Sequence, residues 1–106
     1  MVNNKNQQLS LNEFKELIAK DSSLKIIDVR DIGEYNSGYI KGAINIPLKT
    51  IATNINNYDI NKNDTIVLYC KSGGRAKLAE SFLNRSGFTN VKNFYSIDLW
   101  EDALEK

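Results

Sequence analysis

In Thr65-Ile66-Val67-Leu68-Tyr69-Cys70-Lys71-Ser72-Gly73-Gly74-Arg75 the chain changes character at Cys70. The half before it is β-branched, almost wholly apolar and free of alternation, the pattern of a central strand covered on both faces. The half after it is small, polar or basic. It runs into residues with helical spacing. Leu78, Ala79, Phe82 and Leu83 mark the buried stripe expected of a helix from about Arg75 to Ser86, and Gly87 is its natural stop. A buried strand that turns directly into a helix is the repeating unit of parallel-sheet proteins.

The flanking sequence repeats this alternation. Ser10 with Glu13 three residues later forms a capping box, and Leu11, Phe14, Leu17 and Ile18 share one face of the helix it starts. Leu24 to Val29 reads as a short apolar strand, and Glu34 to Gly38 as a helical turn closed by glycine. Ala43 to Ile46 is a second strand, ended by Pro47, and Ile51, Ile55 and Tyr58 have helical spacing. The asparagines between Asn54 and Asn63 belong to a surface connection. Val91 to Phe94 reads as a last strand, and a final helix is expected from Ile97 onward, with Ile97, Trp100 and Leu104 on one side. Strands alternating with helices predict a mainly parallel sheet with helices on both faces and a site at the carboxyl ends of the strands. Cys70 stands at such an end.

Composition narrows the chemistry. The 106 residues have room for one domain, and no repeat or linker divides them. Residues 1–106 are read as that domain, with 1–6 as a flexible amino-terminal tail. Hydrophobic residues at 42% and charged residues at 25% exclude disorder over the whole length. Fourteen Lys/Arg against thirteen Asp/Glu leave a net charge of +1, which argues against a nucleic-acid or anionic-membrane partner. No apolar run approaches the roughly 20 residues that span a bilayer, and the polar amino terminus lacks a signal-peptide core. The cytoplasm is the expected compartment. Histidine is absent, which removes the commonest metal ligand and the commonest general base. With Cys70 the lone cysteine, one chain forms no disulfide and no multi-cysteine metal site. Cys70 is left as the obvious nucleophile.

Its surroundings fit that role. A cysteine that turns into a helix meets the unpaired N–H groups and positive dipole end of that helix. Lys71 and Arg75 add two formal charges. The small residues Ser72, Gly73 and Gly74 let successive N–H groups point inward as an anion-binding nest. Each of these favours a thiolate over a thiol. A lone cysteine at a strand end is more often inert core, but a core cysteine has no need of small and basic residues after it. Four residues separate Cys70 from Arg75, whereas protein tyrosine phosphatases place five there to cradle a phosphoryl group. The shorter loop suits a smaller reacting atom, such as a sulfane sulfur.

The chain resembles the rhodanese family over almost its whole length. Ile27-Asp28-Val29-Arg30, Glu34-Tyr35 and Gly38-Tyr39-Ile40-Lys41-Gly42-Ala43-Ile44-Asn45-Ile46-Pro47 follow that family's pattern in order and spacing. So do Val67-Leu68-Tyr69-Cys70 with Gly73 and Arg75, then Gly87-Phe88, Val91 and Trp100. Three positions depart from it: Tyr39 stands for a usual histidine, Ala76 for a frequent serine, and Ser96 for a Gly-Gly pair that borders the pocket. The resemblance implies a rhodanese-like three-layer α/β/α domain with a mainly parallel five-stranded sheet. It implies sulfur transfer through a Cys70 persulfide held by Lys71, Ser72, Gly73, Gly74 and Arg75, with neither a metal nor an organic cofactor. The donor would be thiosulfate or a persulfide, and the acceptor cyanide, a thiol or a protein cysteine. A monomer or weak homodimer is expected.

Other readings differ in what they require. A binding or sulfur-carrier module of the same fold needs no turnover. A phosphatase or arsenate reductase of related design needs a longer loop or a second cysteine, and a thioredoxin-like enzyme needs Cys-x-x-Cys. Outside the loop, Asp28, Arg30, Glu34, Tyr69 and Trp100 read as structural. Arg30 and Glu34, four apart, are expected to pair. Asp28 is expected to accept hydrogen bonds from nearby amides, and Tyr69 to point away from Cys70 into packing.

Overall fold

A computed structural model describes residues 8–106, so the tail expected over 1–6 lies outside the described residues. Four strands, β1 (Lys25–Asp28), β2 (Ala43–Asn45), β3 (Ile66–Cys70) and β4 (Val91–Ser96), form one parallel sheet in the order β2-β1-β3-β4. The sheet thus has four strands among the described residues and not five. At its β4 edge Gln8 adds only an isolated parallel bridge to Asn93.

Two packed layers enclose the sheet. Alternate residues of β1 and β3 go to opposite faces, as the two-residue period of a strand requires. Ile27, Ile66, Leu68 and Cys70 join one core with Ala76, Ala79 and Leu83 of helix α4 (Gly74–Arg85) and Ile51 of the short helix α3 (Ile51–Asn54). Ile26, Val67, Tyr69 and Phe94 join the other core with Phe14 of helix α1 (Leu11–Lys20). The three-layer α/β/α class is therefore present, and β3 is buried along its whole length.

The capping box at α1 forms as expected: Glu13 N–H donates to Ser10 Oγ at 3.1 Å, and Ser10 N–H donates to Glu13 Oε1 at 2.8 Å. Helix α2 (Ile32–Asn36) carries a second box between Asp31 and Glu34. Three local expectations are corrected. The buried stripe of α4 is Ala76, Ala79, Glu80 and Leu83, while Leu78 is 63% exposed. Spacings of three and four residues share a face, and Leu78 falls between the two rows. The helix expected across Ile51, Ile55 and Tyr58 is broken into α3 and a 3-10 turn, Ile55–Asn57.

The final helix does not form. A single 3-10 turn, Ile97–Leu99, is followed by extended chain. There Tyr39 N–H donates to the Glu105 carbonyl at 2.9 Å and Glu105 N–H to the Tyr39 carbonyl at 2.8 Å. Pairing with Tyr39 satisfies the backbone groups that a helix would have satisfied internally. Trp100 still packs where core was expected, tilted on Phe14 at 5.5 Å and edge-on to Phe94 at 6.4 Å. Among the described residues no helix is long and apolar enough to cross a membrane.

The strand order places one crevice. After β1 the chain leaves toward β2, and after β3 it leaves toward β4, so the two exits diverge at neighbouring strand ends. Open parallel sheets bind ligands at such a switch point. Cys70 is the last residue of β3 there.

Candidate active site

Cys70 is fully buried, on the α4 face of the sheet, while Tyr69 points to the opposite core as expected. There the Tyr69 hydroxyl oxygen accepts the Ile40 N–H at 3.0 Å. The chain reverses from Cys70 into α4 through Lys71 to Gly73. Gly73 makes this possible with φ +100° and ψ −24°, a conformation that side chains disfavour, and a Cβ added there would meet the Tyr95 Cβ at 3.5 Å.

No side chain caps α4 from the N-cap residue itself. The cysteine sulfur does the work instead. Ala76 N–H, the third of the helix, approaches Cys70 Sγ at 3.4 Å, and Gly73 N–H approaches it at 3.0 Å. The sulfur thus stands where a capping oxygen usually accepts, with the helix dipole behind it. The amides turned on the sulfur belong to Gly73 and Ala76. Ser72 and Gly74 are exposed on the outer side of the turn. Ser72, Gly73 and Gly74 also line an open depression of about 490 Å³, together with Lys77, Tyr95, Ser96 and Leu99.

The two loop cations are both engaged. Arg75 forms a bidentate pair with Glu34, Nη1 to Oε1 at 2.7 Å and Nη2 to Oε2 at 3.0 Å. Lys71 Nζ lies 2.8 Å from Asp98 Oδ1. The expected Arg30–Glu34 pair is therefore replaced. Arg30 turns inward and forks onto the buried Asp28, with Nη2 to Oδ2 at 2.7 Å and Nε to Oδ1 at 3.0 Å. Asp28 is fully buried, and the guanidinium two residues away supplies the partner that water does not. Asp28 Oδ1 also accepts the Arg30 N–H at 2.9 Å, the amide contact that was expected. Glu34, left free by Arg30, bridges from the β1 exit to the β3 exit.

Glu34 has two tasks at once. Its Oε1 accepts the Asp31 N–H at 3.0 Å, closing the α2 capping box, while both oxygens hold Arg75. The Arg75 hydrogen bonds lower the Glu34 carboxyl from 4.5 to about 2. A depressed carboxyl contributes stability that is fully present above its unfolded value and is lost as pH falls through its folded value. The stability difference between wild type and Glu34→Gln should therefore shrink as pH falls from 4.5 toward about 2. Urea unfolding of both proteins near neutral pH and at about pH 2 checks this, and a difference that does not change with pH would sink it.

Behind the loop lies a buried polar anchor that the sequence reading passed over. Asn93 sits in β4 just before an irregularity: Leu68 is in register with Asn93, but Tyr69 is in register with Tyr95, so Phe94 is the extra residue of a bulge. Tyr95 accordingly takes φ +67°. Asn93 Oδ1 accepts the Tyr95 N–H at 2.9 Å, and its Nδ2 donates to the Ala76 carbonyl and to Glu80 Oε1, each at 3.0 Å. The same Ala76 supplies an N–H to the sulfur, so the bulge, the helix start and Cys70 are one assembly. In the mixed run Val91-Lys92-Asn93-Phe94-Tyr95-Ser96 nothing marks Asn93 as the buried polar position, because the bulge that turns it inward is set by pairing with β3. At the rim, Ser96 Oγ donates to the Lys71 carbonyl at 2.6 Å and accepts the Asp98 N–H at 3.1 Å. Ser96, where the family pattern has glycines, thus ties the 3-10 turn to the loop. Tyr39 stacks on Tyr35 at 4.1 Å, a packing role.

Comparison with known proteins agrees with the geometry. The family model described as the rhodanese-like domain matches residues 10–103. Over 86 residues the chain is 38% identical to YrkF of Bacillus subtilis (strain 168), named as a candidate sulfur carrier protein; the match takes in 81% of this chain and 45% of that protein. The chain therefore spans about half the length of that relative. Over 101 residues it is 30% identical to the thiosulfate sulfurtransferase GlpE of Shewanella oneidensis, covering 92% of this chain and 94% of that one. The crystal structure of SSP1007 from Staphylococcus saprophyticus superposes with a TM-score of 0.79 at 31% identity, covering 94% of this chain and 99% of the other.

Proposed function

The chain belongs to the rhodanese-like domain family, and from that membership we propose that it is a sulfurtransferase working through a persulfide on Cys70. The Cys70 thiolate attacks the outer sulfur of thiosulfate or of another persulfide donor. The new S–S bond forms as the old one breaks, and sulfite or a thiolate leaves with the electron pair. An acceptor nucleophile (cyanide, a thiol or a protein cysteine) then takes the outer sulfur, and the electron pair of that S–S bond returns to Cys70. This is covalent catalysis by double displacement. It needs neither metal nor organic cofactor.

The observation that carries the reading is the seat of Sγ. Two backbone N–H groups, at 3.0 and 3.4 Å, converge on one buried sulfur at the positive end of a twelve-residue helix. Such donors stabilise negative charge on sulfur without reorganising. Lys71, Ser72, Gly73, Gly74 and Arg75 form the loop that would receive the donor. The domain acts in the cytoplasm, where a single thiol stays reduced, as a monomer or weak homodimer.

A second reading, a sulfur-carrier or binding module without significant thiosulfate turnover, is favoured by the likeness to YrkF. Intact mass under non-reducing conditions separates the two. After brief exposure to thiosulfate the protein should gain one sulfur atom and lose it on adding cyanide. If the thiol stays free and unmodified with thiosulfate and with an alkyl persulfide alike, the transferase reading fails and the binding module stands.

A further inference from the structure

Opposite charges offset both loop cations from outside the loop. Arg75 is held by Glu34 of α2, and Lys71 by Asp98 of the rim turn. Each loop cation is therefore offset by a carboxylate from elsewhere in the fold, although the loop sequence reads as basic. The wall of the depression also includes Leu99, 45% exposed.

We propose that Glu34 and Asp98 are specificity-determining residues that turn the site away from dianionic sulfur donors and toward singly charged ones, such as alkyl persulfides and thiosulfonates. The inference rests on the sulfurtransferase reading above. Coulomb attraction scales with the product of the charges, so offsetting one loop cation takes twice as much from a dianion as from a monoanion. The two donor types deliver sulfur by the same step. Thiosulfate gives the Cys70 persulfide anion and sulfite. Methanethiosulfonate gives the same persulfide and methanesulfinate, with charge and atoms conserved in both.

The test compares these two donors in wild type, Asp98→Asn and Glu34→Gln, reading kcat/KM for the donor with cyanide as acceptor. Asp98 has an exposed side chain, and glutamine at position 34 keeps a carbonyl oxygen for the α2 cap, so both variants retain the fold. The kcat/KM ratio of thiosulfate to methanethiosulfonate should rise roughly three- to tenfold at low ionic strength in each variant, and shrink toward the wild-type ratio in high salt. Replacing Lys71 by methionine in the Asp98→Asn background should remove that variant's gain. An unchanged ratio, or equal gains for both donors, overturns this proposal and leaves the sulfurtransferase reading intact. Absence of thiocyanate and of persulfide from wild type with either donor overturns that reading, and this proposal with it.

Discussion

Cys70→Ser is expected to abolish sulfur transfer and to leave the protein folded. Cys70 is the only thiol in the chain, and a serine hydroxyl forms no persulfide. Removing a covalent nucleophile costs roughly 10⁴-fold or more in turnover. Folding is a separate matter. The sulfur accepts hydrogen bonds from Gly73 N–H and Ala76 N–H, and a serine oxygen is among the preferred acceptors at a helix start. The substitution leaves a small gap in the core that Cys70 shares with Ile27, Leu68 and Ala79, with a stability cost of about 1–2 kcal/mol. Thiocyanate formation and intact mass read the first effect, and circular dichroism with urea unfolding reads the second. Wild-type turnover by the serine variant would overturn the mechanism. An unfolded variant would show that the sulfur holds the loop more strongly than an oxygen does.

The largest loss of stability is expected at Asp28→Ala. Asp28 is fully buried, and Arg30 is 6% exposed. Removing the carboxylate leaves a buried guanidinium with the Gly38 carbonyl, at 2.7 Å, and the face of the Tyr69 ring, at 5.7 Å, and no anionic group bonded to it. Breaking a buried pair in this way costs about 3–5 kcal/mol. A domain of this size is stable by only about 5–15 kcal/mol in total. The exposed Lys71–Asp98 pair, with side chains 57% and 62% exposed, contributes about 0–1 kcal/mol at most. The two pairs look alike as distances, and burial separates them. The urea midpoint of Asp28→Ala should fall sharply, and the double variant Asp28→Ala/Arg30→Met should recover part of the loss because it removes the stranded charge. A fall worth under about 1 kcal/mol in the single variant would show that water reaches this pair.

Much of the architecture was legible from local pattern. The non-alternating run before Cys70 placed the central strand, and Ser10 with Glu13 placed the start of α1, because both signals depend on neighbours a few residues apart. The failures were of one kind. Leu78 has helical spacing, but Asn93 bonds Ala76 and Glu80, and the face carrying those two residues is the one that turns inward. Ile97, Trp100 and Leu104 have helical spacing, but Tyr39 offers their segment a backbone partner and the chain extends. Arg30 and Glu34 have the spacing of a helical ion pair, but a fully buried aspartate holds the guanidinium more strongly than a half-buried glutamate.

Sequence alone determined the parallel α/β class, the position of Cys70 at a strand end, and a loop of small and basic residues ahead of a helix. Each follows from periodicity or from side-chain chemistry within a few residues. Which charges offset the loop cations was decided only by tertiary structure. Glu34 meets Arg75 across 41 positions of sequence, and Asp98 meets Lys71 across 27. Both meetings exist because neighbouring parallel strands bring their carboxyl ends, and the segments that follow them, to one edge of the sheet. Charge in a sequence is a count. At a site it is a sum over distance and burial, and the fold sets both.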